Sequence, residues 1–192
     1  MDRLDVLVER LRRWNAAINL IAPSTLGEIW VRHIFDSGQL HDLAPRGARS
    51  WVDLGAGAGL PGLVVAAIAA ERRPELHVTM IESDGRKAVF IAEAARAMNV
   101  QVTVERRRIE ESPKARYDVV SARALAALDR LIPMAAPYLS ERGVMLFPKG
   151  RSAEEELTVA AASWHMKVER HVGLADPSGL VLSLTEVARA DP

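Results

Sequence analysis

With 192 residues, of which 49% are apolar and 26% charged, the chain has the size of one domain and enough hydrophobic side chain for a sizeable core, which excludes a disordered segment. The 25 basic and 25 acidic residues cancel, so no bulk field draws the chain toward nucleic acid or anionic lipid. The absence of cysteine excludes disulfides, thiol catalysis and cysteine zinc sites, and with the mixed charges of Asp2, Arg3 and Asp5 in place of a secretory start it points to the cytoplasm.

Leu4, Leu7, Leu11, Trp14 and Ile18 recur at spacings of three and four, the period of an amphipathic helix. Leu26, Ile29, Trp30, His33, Ile34 and Leu40 predict a second, opened by a capping box of Thr25 and Glu28 and separated from the first by Pro23 and Ser24. The polar, turn-rich residues 41–50 then join a helical extension, 1–45, to a core, 50–188, and we read 1–192 as one domain. The longest apolar run, 60–70, contains Pro61 and Gly62 and falls short of the roughly 20 residues that cross a bilayer, so no membrane span is expected.

From Trp51 onward, Val-, Ile- and Met-rich runs alternate with Ala-rich segments, the rhythm of a parallel sheet covered by helices. Strands are predicted near 51–54, 77–82, 100–104, 117–121 and 143–147, and helices over 60–72, 86–98, 125–139 and 152–162, with Pro61 in a first turn. Residues 164–172 and 180–187 alternate about the turn chemistry of Asp176-Pro177-Ser178-Gly179, which predicts an antiparallel pair at one edge. The expected fold class is α/β, a mostly parallel Rossmann-like sheet with an antiparallel C-terminal edge and an N-terminal helical extension.

The run from Val52 to Gly62, VDLGAGAGLPG, follows the first predicted strand and opens a helix, where glycines allow a tight turn and close approach of a ligand to backbone amides. Gly57, Gly59 and Gly62 satisfy the dinucleotide spacing, but the frame Gly55, Gly57, Gly59 begins at the strand end and leaves Asp53 just before the loop. A carboxylate there opposes a pyrophosphate and suits a ligand carrying ammonium and sulfonium charge, S-adenosylmethionine. Glu82, ending the second strand, is placed to accept from both ribose hydroxyls, a need that NAD and S-adenosylmethionine share.

The D-x-G-x-G-x-G pattern with an acid ending the next strand resembles the class I methyltransferases. Adding Trp14 to Leu20, Arg32 to Ser37, Gly57 to Gly62, Lys87 to Phe90, Ala122-Arg123-Ala124 and Pro148-Lys149-Gly150, the chain resembles the bacterial 16S rRNA guanine-N7 methyltransferase family, RsmG, formerly GidB, over residues 14 to 150. The resemblance implies transfer of methyl from S-adenosylmethionine to a guanine N7 in 16S rRNA or the small ribosomal subunit; the expected state is a cytoplasmic monomer. It places Gly55, Gly57 and Leu60 against the cofactor, Ile109 and Glu110 beside the adenine, Arg123 in the site and Lys149 on RNA. Ala56 and Leu60 stand where the family more often has a hydroxyl residue and an aromatic, and the basic residues that usually flank the last strand are missing around Gly179-Leu180 and Ala188.

Guanine N7 carries a lone pair and no proton, so no obligatory catalytic acid or base is named. Orientation is the main demand, worth about 7–11 kcal/mol when complete. The product is cationic, which makes Asp36 a candidate for favouring the transition state, with Arg123 as a second orienting group. Asn15, Asn19, Arg32, His33 and Asp36 form a polar set on the first two helices, read either as an RNA-facing wall or as caps and interhelical hydrogen bonds. His33 is equally a buried structural histidine or a base contact, and Arg106-Arg107-Arg108 a phosphate contact or a solvated charge run. No histidine spacing suggests a metal. The rivals are a methyltransferase for a small molecule or protein, a non-catalytic ribosome-assembly factor, and a dehydrogenase.

Overall fold

The computed structural model describes residues 2–190. Strands β1 (Ser50–Leu54), β2 (His77–Ile81), β3 (Val102–Glu105), β4 (Tyr117–Ser121), β5 (Leu139–Lys149), β6 (Trp164–Val172) and β7 (Leu180–Arg189) form one sheet in the order β3-β2-β1-β4-β5-β7-β6. β1 to β5 pair in parallel, and β7 runs antiparallel to both β5 and β6. The expected antiparallel edge is therefore present, with the second strand of the hairpin inserted beside β5.

Helices α1 (Arg3–Asn15), α2 (Asp36–Leu43), α3 (Gly62–Arg72), α4 (Gly85–Met98), α5 (Leu128–Ala135) and α6 (Ala153–Ala161) cover the sheet. The period of two in β1 divides the core: Trp51 packs with Leu7, Leu63 and Phe90 of α1, α3 and α4, whereas Val52 and Leu54 pack with Leu131, Ile132 and Leu157 of α5 and α6. Burying both faces explains why these strands read as continuous apolar runs. Strand order reverses between β1 and β4, and the crevice beyond their carboxyl ends is where such sheets bind ligands.

Several boundaries differ from those expected. The first helix stops at Asn15, so Ile18 packs on the core from the following loop. In place of one helix opening at Thr25, a 3-10 turn spans Pro23–Glu28, a wider π turn spans Trp30–Phe35, and α2 follows. The capping box does not form: Thr25 Oγ1 donates to the Ala22 carbonyl, and Glu28 faces Arg32 at 3.8 Å. The wide turn brings both His33 and Ile34 inside, and such turns are frequent where a helix carries function. α2 continues to Leu43, which shortens the joint. The helix predicted over 125–139 is only eight residues long with a 3-10 turn at Ala136–Tyr138, because Pro137 has no amide with which to continue it.

Candidate functional site

Gly55, Gly57 and Gly59 have φ of 62°, 57° and 72°, a left-handed backbone that side-chain-bearing residues seldom adopt, so the glycine frame that begins at the strand end is the one that makes the turn. Gly62 serves otherwise: a Cβ there would meet Met80 Sδ at 2.6 Å, so its lack of side chain lets α3 settle on β2. Glu82 ties the loop down. Its Oε2 accepts from the Gly57 amide and its Oε1 from the Asp84 amide, both at 2.7 Å. A carboxylate has about four acceptor positions, so this leaves room for hydroxyl donors of a ligand.

Asp53 corrects an expectation. It is fully buried and does not border the cleft; Oδ1 accepts from Ser121 Oγ at 2.7 Å and Oδ2 from the Gly62 amide at 3.0 Å. Trp51 Nε1 donates to the same Ser121 oxygen at 2.8 Å, which leaves the hydroxyl proton for Asp53. Burial raises the Asp53 carboxyl to about 7 against the pull of these donors and of Arg123. It lies behind the glycine loop, bonded to the start of α3 and the end of β4.

A cleft of about 460 Å³ opens over the glycine loop, lined by Gly55, Gly57, Leu60, Glu82, Ile109 and Glu110 together with Lys87, Arg107 and Arg108. A second cavity of about 540 Å³ contains Arg32, His33, Asp36, Pro148, Lys149 and Asp176. Arg123, Ala124 and Leu125 line both, so the loop after β4 is the partition between them. Ala124 has φ of 53°, a strained conformation for alanine that turns the chain sharply at this wall.

Arg123 is held by a chain of hydrogen bonds. Its Nη2 lies 2.5 Å from His33 Nδ1, and His33 Nε2 lies 2.8 Å from Thr25 Oγ1. A guanidinium only donates, and the single Thr25 proton goes to Ala22, so His33 accepts at Nδ1 and donates from Nε2. This fixes the neutral tautomer. Burial first, then the charges of Arg123 and Arg32, lowers the imidazole to about 4. Asp36 lies 3.9 Å from Arg123 Nη1; burial raises its carboxyl above the ordinary value, opposed by Arg123, Arg32, Gln39 and the Ala175 amide.

The remaining candidates divide. Asn15 is buried rather than exposed: its Oδ1 accepts from the Leu20 and Ile21 amides, both at 2.9 Å, and those two residues wall the glycine cleft. Asn19 does not share a helical face with it, because the helix has ended; it is exposed. Lys149 is not the free surface cation expected for RNA contact. Its Nζ donates to the Ala126 carbonyl at 2.7 Å and to Glu156 Oε2 at 2.8 Å, clamping the partition loop. Arg106 diverges from its two neighbours, with its guanidinium against Gly85. The Ile109 carbonyl accepts from Tyr138 and Lys114, which fixes the turn presenting Ile109 and Glu110.

Thr25, Ser121, Leu125 and Glu156 were missed as site residues. Ser121 becomes legible only once β4 is registered against β1, where it is paired with Asp53. Glu156 accepts from the Leu128 amide as well as from Lys149, a link between α5 and α6 with no sequence pattern.

The family model described as rRNA small subunit methyltransferase G matches residues 1–176. The ribosomal RNA small subunit methyltransferase G of Rhodospirillum centenum is 51% identical over 98% of this chain and 85% of its own length. Its counterpart in Cereibacter sphaeroides is 47% identical over 98% and 90%. Among solved structures, the O-methyltransferase from Bacillus cereus in complex with SAH superposes with a TM-score of 0.62 at 15% identity, covering 95% of this chain and 91% of that one. The Thermus thermophilus 16S rRNA N2 G1207 methyltransferase, in complex with AdoMet and guanosine, gives 0.57 at 17% identity over 84% and 41%. At such identities these two likenesses speak for the fold alone.

Proposed function

Because the chain belongs to the small-subunit rRNA methyltransferase G family, we propose that it transfers the methyl group of S-adenosylmethionine to N7 of a guanine in 16S rRNA of the small ribosomal subunit. The observation that carries this reading is the pair of cavities sharing one wall at Arg123 to Leu125, which allows a cofactor and a base to meet across a short partition. The glycine cleft fits the cofactor chemically. Glu82 keeps acceptor positions for ribose hydroxyls, the buried Asp53 favours a cationic ligand, and Lys87, Arg107 and Arg108 suit a carboxylate. We assign Gly55, Gly57, Leu60, Glu82, Ile109, Glu110 and Arg123 to cofactor binding, and Asp53 to its electrostatics from below.

When bound, S-adenosylmethionine supplies an electrophilic methyl carbon on a sulfonium sulfur. No side chain is needed as a base, because N7 has no proton to lose. What the chain contributes is orientation: Leu60 lines the glycine cleft and Leu125 the shared partition, Asn15 holds the Leu20–Ile21 wall, and Arg123 is aimed by His33. Arg32 and Asn19 are exposed beside this machinery and available to RNA. We infer that the helical extension and the sheet work as one domain, a monomer in the cytoplasm; among the described residues no helix is long and apolar enough to cross a membrane.

The test is to incubate the protein with labelled S-adenosylmethionine and small subunits lacking the modification, then map the labelled base. Label at N7 of one 16S guanine is the expected result. Label only in a small molecule or protein, or none in RNA at any assembly state, would overturn the reading.

A further inference from the structure

N7 is present in adenine as well as guanine, so nucleophilicity does not separate the two purines. They differ at the adjoining edge. Guanine presents an acceptor at O6, a donor at N1 and a donor at the 2-amino group; adenine presents a donor at its 6-amino group and an acceptor at N1. An enzyme that methylates one N7 and spares the other must read that edge.

Arg123 and Asp36 have the complementary order. Arg123 lines both cavities and Asp36 only the second, so from the cofactor side outward come a donor and then an acceptor. Along guanine, from N7 outward, come O6 and then N1–H, an acceptor followed by donors. The pair is 3.9 Å apart, too far for a hydrogen bond, so neither group saturates the other. Arg123 gives one donor to His33 and keeps others; Asp36 takes Gln39 at 3.0 Å and the Ala175 amide, out of about four acceptor positions. Both side chains are largely shielded, at 18% and 21% exposure, so water competes poorly for what remains. Leu125 and Pro148 supply apolar surface in the same cavity for the faces of a base.

We propose that Arg123 and Asp36 together select guanine, Arg123 donating to O6 beside the reacting N7 and Asp36 accepting from N1–H and the 2-amino group. The assignment rests on the guanine reading above. Adenine in the same seat sets its amino group against the guanidinium and its N1 lone pair against the carboxylate. Asp36 is thus a specificity-determining residue, distinct from any part in stabilising the methylated cation.

The test uses small-subunit RNA in which the mapped target is guanine, inosine or adenine, with transfer of labelled methyl measured for the wild type and for Asp36→Asn. Inosine lacks only the 2-amino group. The wild type is expected to favour guanine over inosine about tenfold in kcat/KM, the loss of one hydrogen bond to a charged partner, and over adenine by at least about a hundredfold. Asp36→Asn places an amide where N1 of adenine needs a donor, so the adenine ratio narrows by about tenfold, while its neutral carbonyl is a weaker acceptor for the 2-amino group and the inosine ratio narrows to about threefold. The melting shift produced by S-adenosylhomocysteine stays as in the wild type, because Asp36 lies outside the glycine cleft. A wild type that methylates guanine N7 yet treats inosine equally overturns the proposal while leaving the function standing, as does an Asp36→Asn enzyme with unchanged ratios. Should the wild type put no methyl on guanine N7, the functional reading falls and this assignment with it. If Asp36→Asn fails to fold, the wild-type comparison of guanine with inosine decides alone.

Discussion

Arg123 donates to a histidine that has no proton to share at that atom: Nη2 is 2.5 Å from His33 Nδ1, and the ring proton is on Nε2, pointed at Thr25. A neutral imidazole is thereby made the rest for a cation. The arrangement holds only while His33 stays unprotonated. Its low pKa, about 4, follows first from the burial of the ring and then from the charges of Arg123, which makes the contact, and of Arg32.

The first expected outcome concerns that contact. Asparagine at position 33 can offer an acceptor where Nδ1 lies; leucine cannot. His33→Leu should lower kcat/KM by about ten- to a hundredfold, the worth of a hydrogen bond to a charged group, and His33→Asn should recover most of it. Nitrogen NMR of the wild-type ring should report the Nε2–H form down to about pH 5. A charged ring at pH 6 would refute the assignment.

His33 and Asp53 make opposite contributions to stability as pH changes. The His33 pKa is depressed on folding, from 6.5 to about 4, so the unfolded chain binds more protons and stability rises with pH across that window. The Asp53 pKa is raised, from 3.8 to about 7, so the native state binds more protons and stability falls with pH between those values. The two slopes nearly cancel from about pH 4 to 6.5. Asp53→Asn should expose the His33 slope, seen in urea midpoints that climb steadily over this range.

Asp53 should also couple cofactor binding to pH. A sulfonium prefers the ionised carboxylate, so affinity for S-adenosylmethionine should strengthen as pH rises through about 7. The uncharged thioether of S-adenosylhomocysteine should show a weaker dependence, and Asp53→Asn should flatten both. Calorimetry in buffers of differing ionisation heat would detect the proton released.

Gly62→Ala should destabilise the protein by about 1–3 kcal/mol through overpacking, since the added carbon meets Met80 Sδ at 2.6 Å and Asp53 Oδ2 at 3.0 Å. Gly47→Ala, with nothing within 4 Å, is the control and should leave the denaturation midpoint in place.

Lys149 should behave as a structural clamp. Glu156→Ala leaves the amine with the Ala126 carbonyl alone and frees the Leu128 amide, which should cost about 1.5–3 kcal/mol. Lys149→Met should lower the melting temperature while leaving the salt slope of RNA binding unchanged; a residue neutralising a phosphate would reduce that slope by about one.

Sequence alone determined the sheet and the glycine turn at its edge. Largely apolar runs of four to six residues alternating with Ala-rich helical segments are the rhythm of a parallel sheet covered by helices, and VDLGAGAG after the first run marks that turn, because left-handed backbone at Gly55, Gly57 and Gly59 is a local requirement visible in residue type. The pairing of Arg123 with His33, residues 90 positions apart, is of another kind. Local pattern put His33 on an ordinary helix, Thr25 in a cap, Lys149 on the surface and Asp53 in the cleft. Tertiary structure reassigned all four, because hydrogen-bond capacity and charge are settled by which groups share a low-dielectric interior, and that depends on contacts between distant segments.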